Sequence, residues 1–434
     1  MLHQQLVLGA DYHQMRAGTQ HAGDAKAGET GAQGRIVLVL QGGGALGAYQ
    51  AGVYQALHEA GIEPDWMIGT SIGAINAALI AGNERENRVA ALREFWRRMA
   101  HKSIWHEWSA WPRFVQSASY LTTLTAGLPG FFVPNPLAFL GPHVHLGADS
   151  AGFYSTAPLE RTLGELIDFS LIAQNKPRLT VGAAHVSTSR MRYFDSRNEE
   201  LGVKHVMASG ALPPAFPAVR IDGELYWDGG ILSNTPTEAI FDENPRVNSL
   251  VFAVHMWNPK GPEPQTIWEV LHRQKDIQYS SRVASHIARQ AQIHRLRHII
   301  RELEGMLPDD VRRSEAVRAL TAYGCLTRMH VVRLLWPGHD NEDHTKDLDF
   351  SPSGIRKRWE AGYEKTMRAI EAAPWQGDFD PVEGVYLHEL MEEMQMDANA
   401  GPVMVEAPKS FALDKAPAHF QEPARPIVSG TLRR

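Results

Sequence analysis

An α/β fold is expected for this chain from three features: its size, a short apolar run that turns through glycines into a helix, and a second such unit a little further on. With 434 residues, 44% of them hydrophobic, the chain can bury a large core, and its length suits one main domain with an appendage better than two equal domains. Arg35 to Leu40 (RIVLVL) is short, apolar and rich in β-branched residues, the pattern of a buried strand. Ala48 to Ala60 reads as the helix that follows it, with Gly42-Gly43-Gly44-Ala45-Leu46-Gly47 between the two. Asp65 to Ile68 (DWMI) begins the second unit, Gly69-Thr70-Ser71-Ile72-Gly73 turns it, and Ala74 to Ala81 continues as a helix of small residues.

The chemistry these turns suit differs. Glycines ahead of a helix let the backbone approach a ligand, and successive N–H groups there favour an anion or a developing oxyanion. Gly42, Gly44 and Gly47 also satisfy the dinucleotide pattern G-x-G-x-x-G, so the first loop alone indicates anion binding and no more. It is not a phosphate-binding Walker loop, because no Gly-Lys-Ser/Thr follows. A dinucleotide site wants an acid at the end of the second strand, yet Asp65 stands at its start and Ser71 at its end. The G-x-S-x-G context, with Gly69 and Gly73 flanking the serine, is that of a nucleophile elbow.

A serine nucleophile needs a base. Val206 to Val219, with a cluster of prolines near its end, leads into a short strand, an Asp222-Gly223 hairpin signal and a second strand that ends at Asp228-Gly229-Gly230. Asp228 is therefore placed as a presented carboxylate, although most Asp-Gly pairs are simply turns.

Gly42-Gly43-Gly44 with Gly47, Gly69-Thr70-Ser71-Ile72-Gly73, Ala208-Ser209 with Pro213 to Pro217, and Asp228-Gly229-Gly230 occur in an order that resembles the patatin-like phospholipases. The resemblance covers approximately Arg35 to Val254. It implies a three-layer α/β/α sandwich with a mainly parallel central sheet. It also implies lipid acyl hydrolysis by a dyad of Ser71 and Asp228, with an oxyanion hole at Gly42, Gly43 and Gly44 and no cofactor or metal. The family commonly has a basic residue where Leu46 stands, which removes a cation from that position but not the backbone donors. Three rivals stay open: an α/β-hydrolase with a Ser71, Asp228, His255 triad, a nucleotide-binding oxidoreductase, and an idle lipid-binding protein. His185 and His255, which border strand-like segments, read more readily as polar strand ends than as bases.

The expected organisation is a flexible leader over 1–34, a catalytic domain over 35–258, a mostly helical extension over 259–375 and a largely irregular tail over 376–434. Within the catalytic part, residues 95–154 are dense in aromatics, from Trp96, Trp105, Trp108 and Trp111 to Phe131, Phe132 and Tyr154, and suit either a lid or a packed satellite core. Thr266 to Met306 is a long helical stretch with apolar residues at Val283, Ile287, Ile293, Leu296, Ile300 and Leu303 among many arginines, with a break expected near Tyr279-Ser280-Ser281. It suits a solvated face over a core or a basic face on an anionic bilayer.

A net charge of −6 argues against nucleic acid as a partner. The single cysteine, Cys325, excludes an internal disulfide, signals no zinc cluster and suits a reducing compartment. The charged run His339 to Asp349 matches neither a calcium loop nor a zinc signature. With no signal sequence and no long apolar span, the expected location is cytoplasmic, and any membrane contact, at the inner face, is peripheral.

Overall fold

The computed structural model describes residues 34–100, 123, 125–141, 143–338, 345–380 and 382–389. The leader, most of the tail, Trp105, Trp108 and Trp111 of the aromatic stretch, and the histidine-containing part of the 339–349 run lie outside the described residues.

The strands are β1 (Arg35–Leu40), β2 (Trp66–Thr70), the short β3 (Val133–Pro134) and β4 (Tyr154–Ser155), β5 (Arg178–His185), β6 (Arg190–Asp195), β7 (Val219–Ile221), β8 (Glu224–Asp228), β9 (Ser249–His255), β10 (Met329–Leu335) and β11 (Val385–Glu389). The central sheet runs β11-β10-β9-β1-β2-β5-β8-β7, with β6 also paired to β5. Pairing is parallel from β11 across to β5. It turns antiparallel where β5 meets β6 and β8, and where β8 meets β7. The β7–β8 turn has positive φ at both Asp222 (48°) and Gly223 (87°), as the Asp-Gly hairpin signal requires.

Alternation along the strands explains why they read as unbroken apolar runs. Leu38, Leu40, Met67, Phe252 and Val254 enter one core, which also holds residues of the helices α1 (Ala48–Glu59), α2 (Ile72–Ala81) and α3 (Arg88–Met99). Val37, Val39, Trp66, Ile68, Val251 and Ala253 enter a second core on the opposite face, closed by Ile240 and Phe241. Both faces are buried, so each strand must be apolar at odd and even positions alike. The chain is thus a three-layer α/β/α sandwich.

Beyond residue 258 the chain rejoins this sheet. The helix α5 (Ile267–Met306) and the helix α6 (Pro352–Ala372) alternate with β10 and β11, and β11 lies inside the stretch expected to be irregular. The expected break in α5 is absent: the helix runs on through Tyr279-Ser280-Ser281, and the Ser280 hydroxyl donates to the Asp276 carbonyl one turn back, sharing that acceptor with the helical ladder. The expected apolar stripe holds only in part. Ile287 is buried as expected, whereas Leu296 and Leu303 are exposed and the polar Ser280, His294 and His298 are buried in their place. No helix among the described residues is long and apolar enough to cross a membrane.

Helices α1 and α6 cross at backbone distance. A Cβ on Gly52 would lie 1.9 Å from the Trp359 carbonyl oxygen, and one on Gly362 would lie 2.1 Å from that of Tyr49. Gly52→Val is therefore expected to force the helices apart and cost about 1–3 kcal/mol, read as a lower midpoint in urea unfolding followed by tryptophan fluorescence.

Candidate active site

Ser71 occupies the tip of the turn between β2 and α2, with φ 56° and ψ −126°. For a residue with a Cβ this is a strained conformation, and the neighbours show what enforces it. A Cβ on Gly73 would lie 2.2 Å from the Leu40 carbonyl oxygen, and one on Gly69 would lie 2.4 Å from that of Gly73. The Ser71 N–H donates to the Ser209 hydroxyl at 2.9 Å, and that hydroxyl donates to the Gly182 carbonyl at 2.6 Å. Ser209 closes the helix α4 (Val203–Ser209) and is fully buried. The serine of the Ala208-Ser209 motif thus ties the elbow to the neighbouring strand β5.

Asp228 ends β8, opposite Ala183 of β5. Its Oδ1 accepts from the Gly230 N–H at 2.7 Å, and the Ser71 side chain engages the same carboxyl. Burial pushes Asp228 up to about 6, against the opposing effects of Ser71 and Gly230. Gly229 is needed for close packing, since a Cβ there would lie 2.5 Å from the Gly182 carbonyl oxygen.

The glycine loop divides its amides between structure and solvent. The Gly42 N–H donates to the Asn234 carbonyl at 3.2 Å and so is engaged within the scaffold. The Gly42 carbonyl in turn accepts from Asn234 Nδ2 at 3.1 Å and Trp257 Nε1 at 2.8 Å. Gly43 and Gly44 precede and open the short 3-10 turn Gly44–Gly47, and no described residue accepts from their N–H groups. Gly44 has φ 55°, and a Cβ there would lie 2.3 Å from the Asp347 carbonyl oxygen. Gln41, fully buried, fixes the loop root through Thr235 Oγ1 at 2.8 Å and the Tyr279 carbonyl at 3.2 Å.

These groups meet in one cavity of about 200 Å³ whose walls are mostly apolar. Gly43, Gly44, Ser71 and Asp228 are at one end, and Phe131, Phe132, Tyr154 and Phe216 form an aromatic wall. The rings of Phe132, Tyr154 and Phe216 contact one another, with Phe132 4.9 Å from Tyr154 and 5.3 Å from Phe216. The described part of the aromatic stretch therefore both packs and lines the cavity. Trp257, Tyr279, Asp347, Leu348 and Phe350 complete the lining from beyond β9. None of these was singled out for the site by the sequence, because each reaches it only through tertiary packing.

The two histidines singled out in the sequence, His255 and His185, lie elsewhere. His255 ends β9 fully buried, its Nε2 has no partner, and burial beside Arg333 pushes its imidazole down to about 3. It neither lines the cavity nor engages Asp228. His185 pairs with Glu224 at 3.1 Å. Asp65 accepts from the Ile36 N–H at 2.8 Å at the opposite end of β2, away from a ribose position.

Asp228 carries a stability consequence with a definite sign. Its folded pKa lies above the unfolded value of about 3.9, so the folded state holds the proton more tightly and this group's contribution becomes unfavourable as pH rises through about 4 to 6. A shift of this size amounts to on the order of 2–3 kcal/mol at neutral pH. Asp228→Asn is expected to raise the thermal midpoint at pH 7.5 and to leave it nearly unchanged at pH 4, compared by calorimetry at the two pH values.

The chain is similar in sequence to known proteins. A patatin-like phospholipase family model matches residues 38–241, and a second, described as patatin phospholipase, matches 277–382. The lysophospholipase nte1 of Aspergillus niger is 28% identical over 270 residues, which is 55% of this chain and 15% of that protein. The triacylglycerol lipase ptl3 of Schizosaccharomyces pombe is 42% identical over 62 residues, 14% of this chain and 13% of that protein. This chain accordingly spans a small part of the length of the curated relatives it matches. Among solved structures, VipD from Legionella pneumophila aligns with 16% identity and a TM-score of 0.34, over 79% of this chain and 67% of that one. Two family models covering most of residues 38–382, over motifs that stand together in space, identify the chain as a member of the patatin-like phospholipase family.

Proposed function

We propose that this protein hydrolyses acyl esters of lipids through an acyl-enzyme on Ser71. The observation that carries the reading is the buried Asp228 carboxyl engaged by a serine held at positive φ, at the end of an apolar cavity. Asp228 takes the Ser71 proton as the hydroxyl oxygen attacks the ester carbonyl, and the proton then passes to the departing alcohol. Water, activated by the same carboxylate, releases the fatty acid and restores the serine. The Gly43 and Gly44 amides supply the donors for the tetrahedral oxyanion. A carboxylate near its ordinary pKa is a weak base for a hydroxyl, and desolvation to about 6 narrows that gap while leaving Asp228 ionised at neutral pH. The chemistry requires no cofactor.

The aromatic wall suits an acyl chain, and the loop beyond it suits a lipid surface. Phe139 is 85% exposed and Phe153 58% exposed, on a segment tied to the cavity rim by the Phe153 N–H bond to the Pro214 carbonyl at 3.1 Å. This supports peripheral contact with lipid, with the ester drawn from an aggregate into the cavity.

The test is covalent labelling with a fluorophosphonate, peptide mapping, and fatty acid release from a lipid panel. Ser71 is expected to carry the label. Ser71→Ala should lose it and lower hydrolysis by at least about 10³-fold. His255→Gln should retain most activity, which a Ser-Asp-His triad would not allow. The rate at limiting substrate should fall as pH drops through about 6, following protonation of Asp228. A folded protein with an unlabelled Ser71 would instead indicate an idle lipid-binding protein.

Phe132→Ala should raise KM for long-chain esters more than for short ones, because it shortens the apolar wall without touching the dyad. Initial rates on a graded series of p-nitrophenyl esters measure this. An equal effect at every chain length would assign the aromatic wall to packing alone.

A further inference from the structure

Helix α5 buries the wrong residues for a helix that merely covers a core. Leu296 and Leu303 are 60% and 56% exposed, while His294 and His298, one turn apart, are 0% and 1% exposed. Both imidazoles converge on one point. His294 Nε2 and His298 Nε2 each lie 2.8 Å from the Thr327 carbonyl oxygen, and the Thr327 hydroxyl is 3.2 Å from His294 Nε2. Cys325 joins them from the loop before β10, its Sγ 3.8 Å from His294 Nε2 and 3.6 Å from the Thr327 hydroxyl. The two nitrogens and the sulfur all lie within 4.8 Å of one another. Gly384 lies against the pair, since a Cβ there would lie 2.7 Å from His298 Nε2.

We propose that His294, His298 and Cys325 bind a structural zinc ion, with the Thr327 carbonyl as the fourth ligand. A tetrahedral zinc with nitrogens at about 2.0–2.1 Å and sulfur at about 2.3 Å holds its ligand atoms roughly 3.3 to 3.7 Å apart. The three side-chain ligand atoms, within 4.8 Å of one another, stand somewhat wider than that spacing. Two imidazoles and a thiolate select zinc over magnesium or calcium, which take oxygen ligands. On binding, the Cys325 thiol proton leaves to solvent, and each imidazole carries its remaining proton on Nδ1, freeing Nε2 for the metal. His294 Nδ1 has no partner among the described residues, so one outer hydrogen bond that commonly strengthens such sites is missing.

The site is structural by its position. Thr327 is followed by Arg328, whose carbonyl accepts from Ser249 at the start of β9, and Met329 donates to the Gly384 carbonyl just before β11. The cluster thus joins α5 to the amino-terminal edge of the sheet, while Ser71 stands at the carboxyl ends of the parallel strands. The metal would fasten helix to sheet and take no part in ester chemistry.

Cys325 is the chain's single cysteine, so its thiol reports the site without mutation. Untagged full-length protein, dialysed against chelator and then titrated with zinc, is expected to bind one equivalent by elemental analysis. The thiol should lose reactivity toward a maleimide at the same equivalence and regain it with chelator. Cobalt in place of zinc should give a thiolate-to-cobalt charge-transfer band that is absent from Cys325→Ser, with fatty acid release unchanged in that variant. If zinc leaves the maleimide rate unaltered, or if Cys325→Ser binds zinc equally well, the three side chains are a hydrogen-bonded knot and the proposal fails.

Discussion

The site depends on backbone meeting backbone where three strands end. Chain leaving β1, β2 and β8 converges so closely that Gly73 meets the Leu40 carbonyl, Gly69 meets Gly73, and Gly229 meets the Gly182 carbonyl of β5. Side chains are excluded at these contacts, and the one side chain displayed among them is that of Ser71. Its strained backbone costs on the order of 1–3 kcal/mol, a strain that the parallel ladders on either side of β2 and the Ser209 clamp hold in place. Since β5 pairs with both β2 and β8, the serine after one and the aspartate ending the other become neighbours despite their distance in sequence.

Desolvation acts on two groups at these strand ends and separates their roles. It raises Asp228 to about 6, so the carboxylate persists at neutral pH as a stronger base than a solvated aspartate. The same effect lowers His255 to about 3, so that imidazole stays neutral throughout the working range. It is buried and does not line the cavity that holds Ser71 and Asp228. The order Ser71, Asp228, His255 along the chain therefore mimics a triad that the packing does not assemble.

The glycine turns, the elbow serine and the Asp-Gly hairpin were legible because each is a local signal, in which a residue lacking a Cβ or a tight turn dictates its own conformation. What tertiary contacts decide was not legible. Gly42 looked equivalent to Gly43 and Gly44, yet Asn234, far along the chain, takes its amide. Gln41, Trp257 and Tyr279 carry no motif and matter through the loop they support or the cavity they line. On α5 the apolar periodicity suggested the buried stripe, and Ile287 follows it, but the helix also turns His294 and His298 inward, because what it packs against includes Thr327 and Gly384. The H-x-x-x-H spacing was present in the sequence, and counting cysteines alone passed over it.

The region after β9 belongs to the same structural unit as Ser71 for two separate physical reasons. Every residue of β9 is buried, and β10 pairs with it in parallel from Ser249 to His255, so an end to the chain at residue 258 would turn a buried central strand into an open edge. Tyr279, Asp347, Leu348 and Phe350 also close the cavity that holds Ser71. Lys346, 4% exposed, holds that last segment in place by donating to Asp276 Oδ1 of α5 at 2.7 Å, while Lys275 of α5 reaches Asp347 at 2.7 Å. A charge pair buried in this way is costly to break, since either partner alone would stay desolvated without compensation. The cavity's shape is thus fixed jointly by the elbow and by a helix more than two hundred residues downstream.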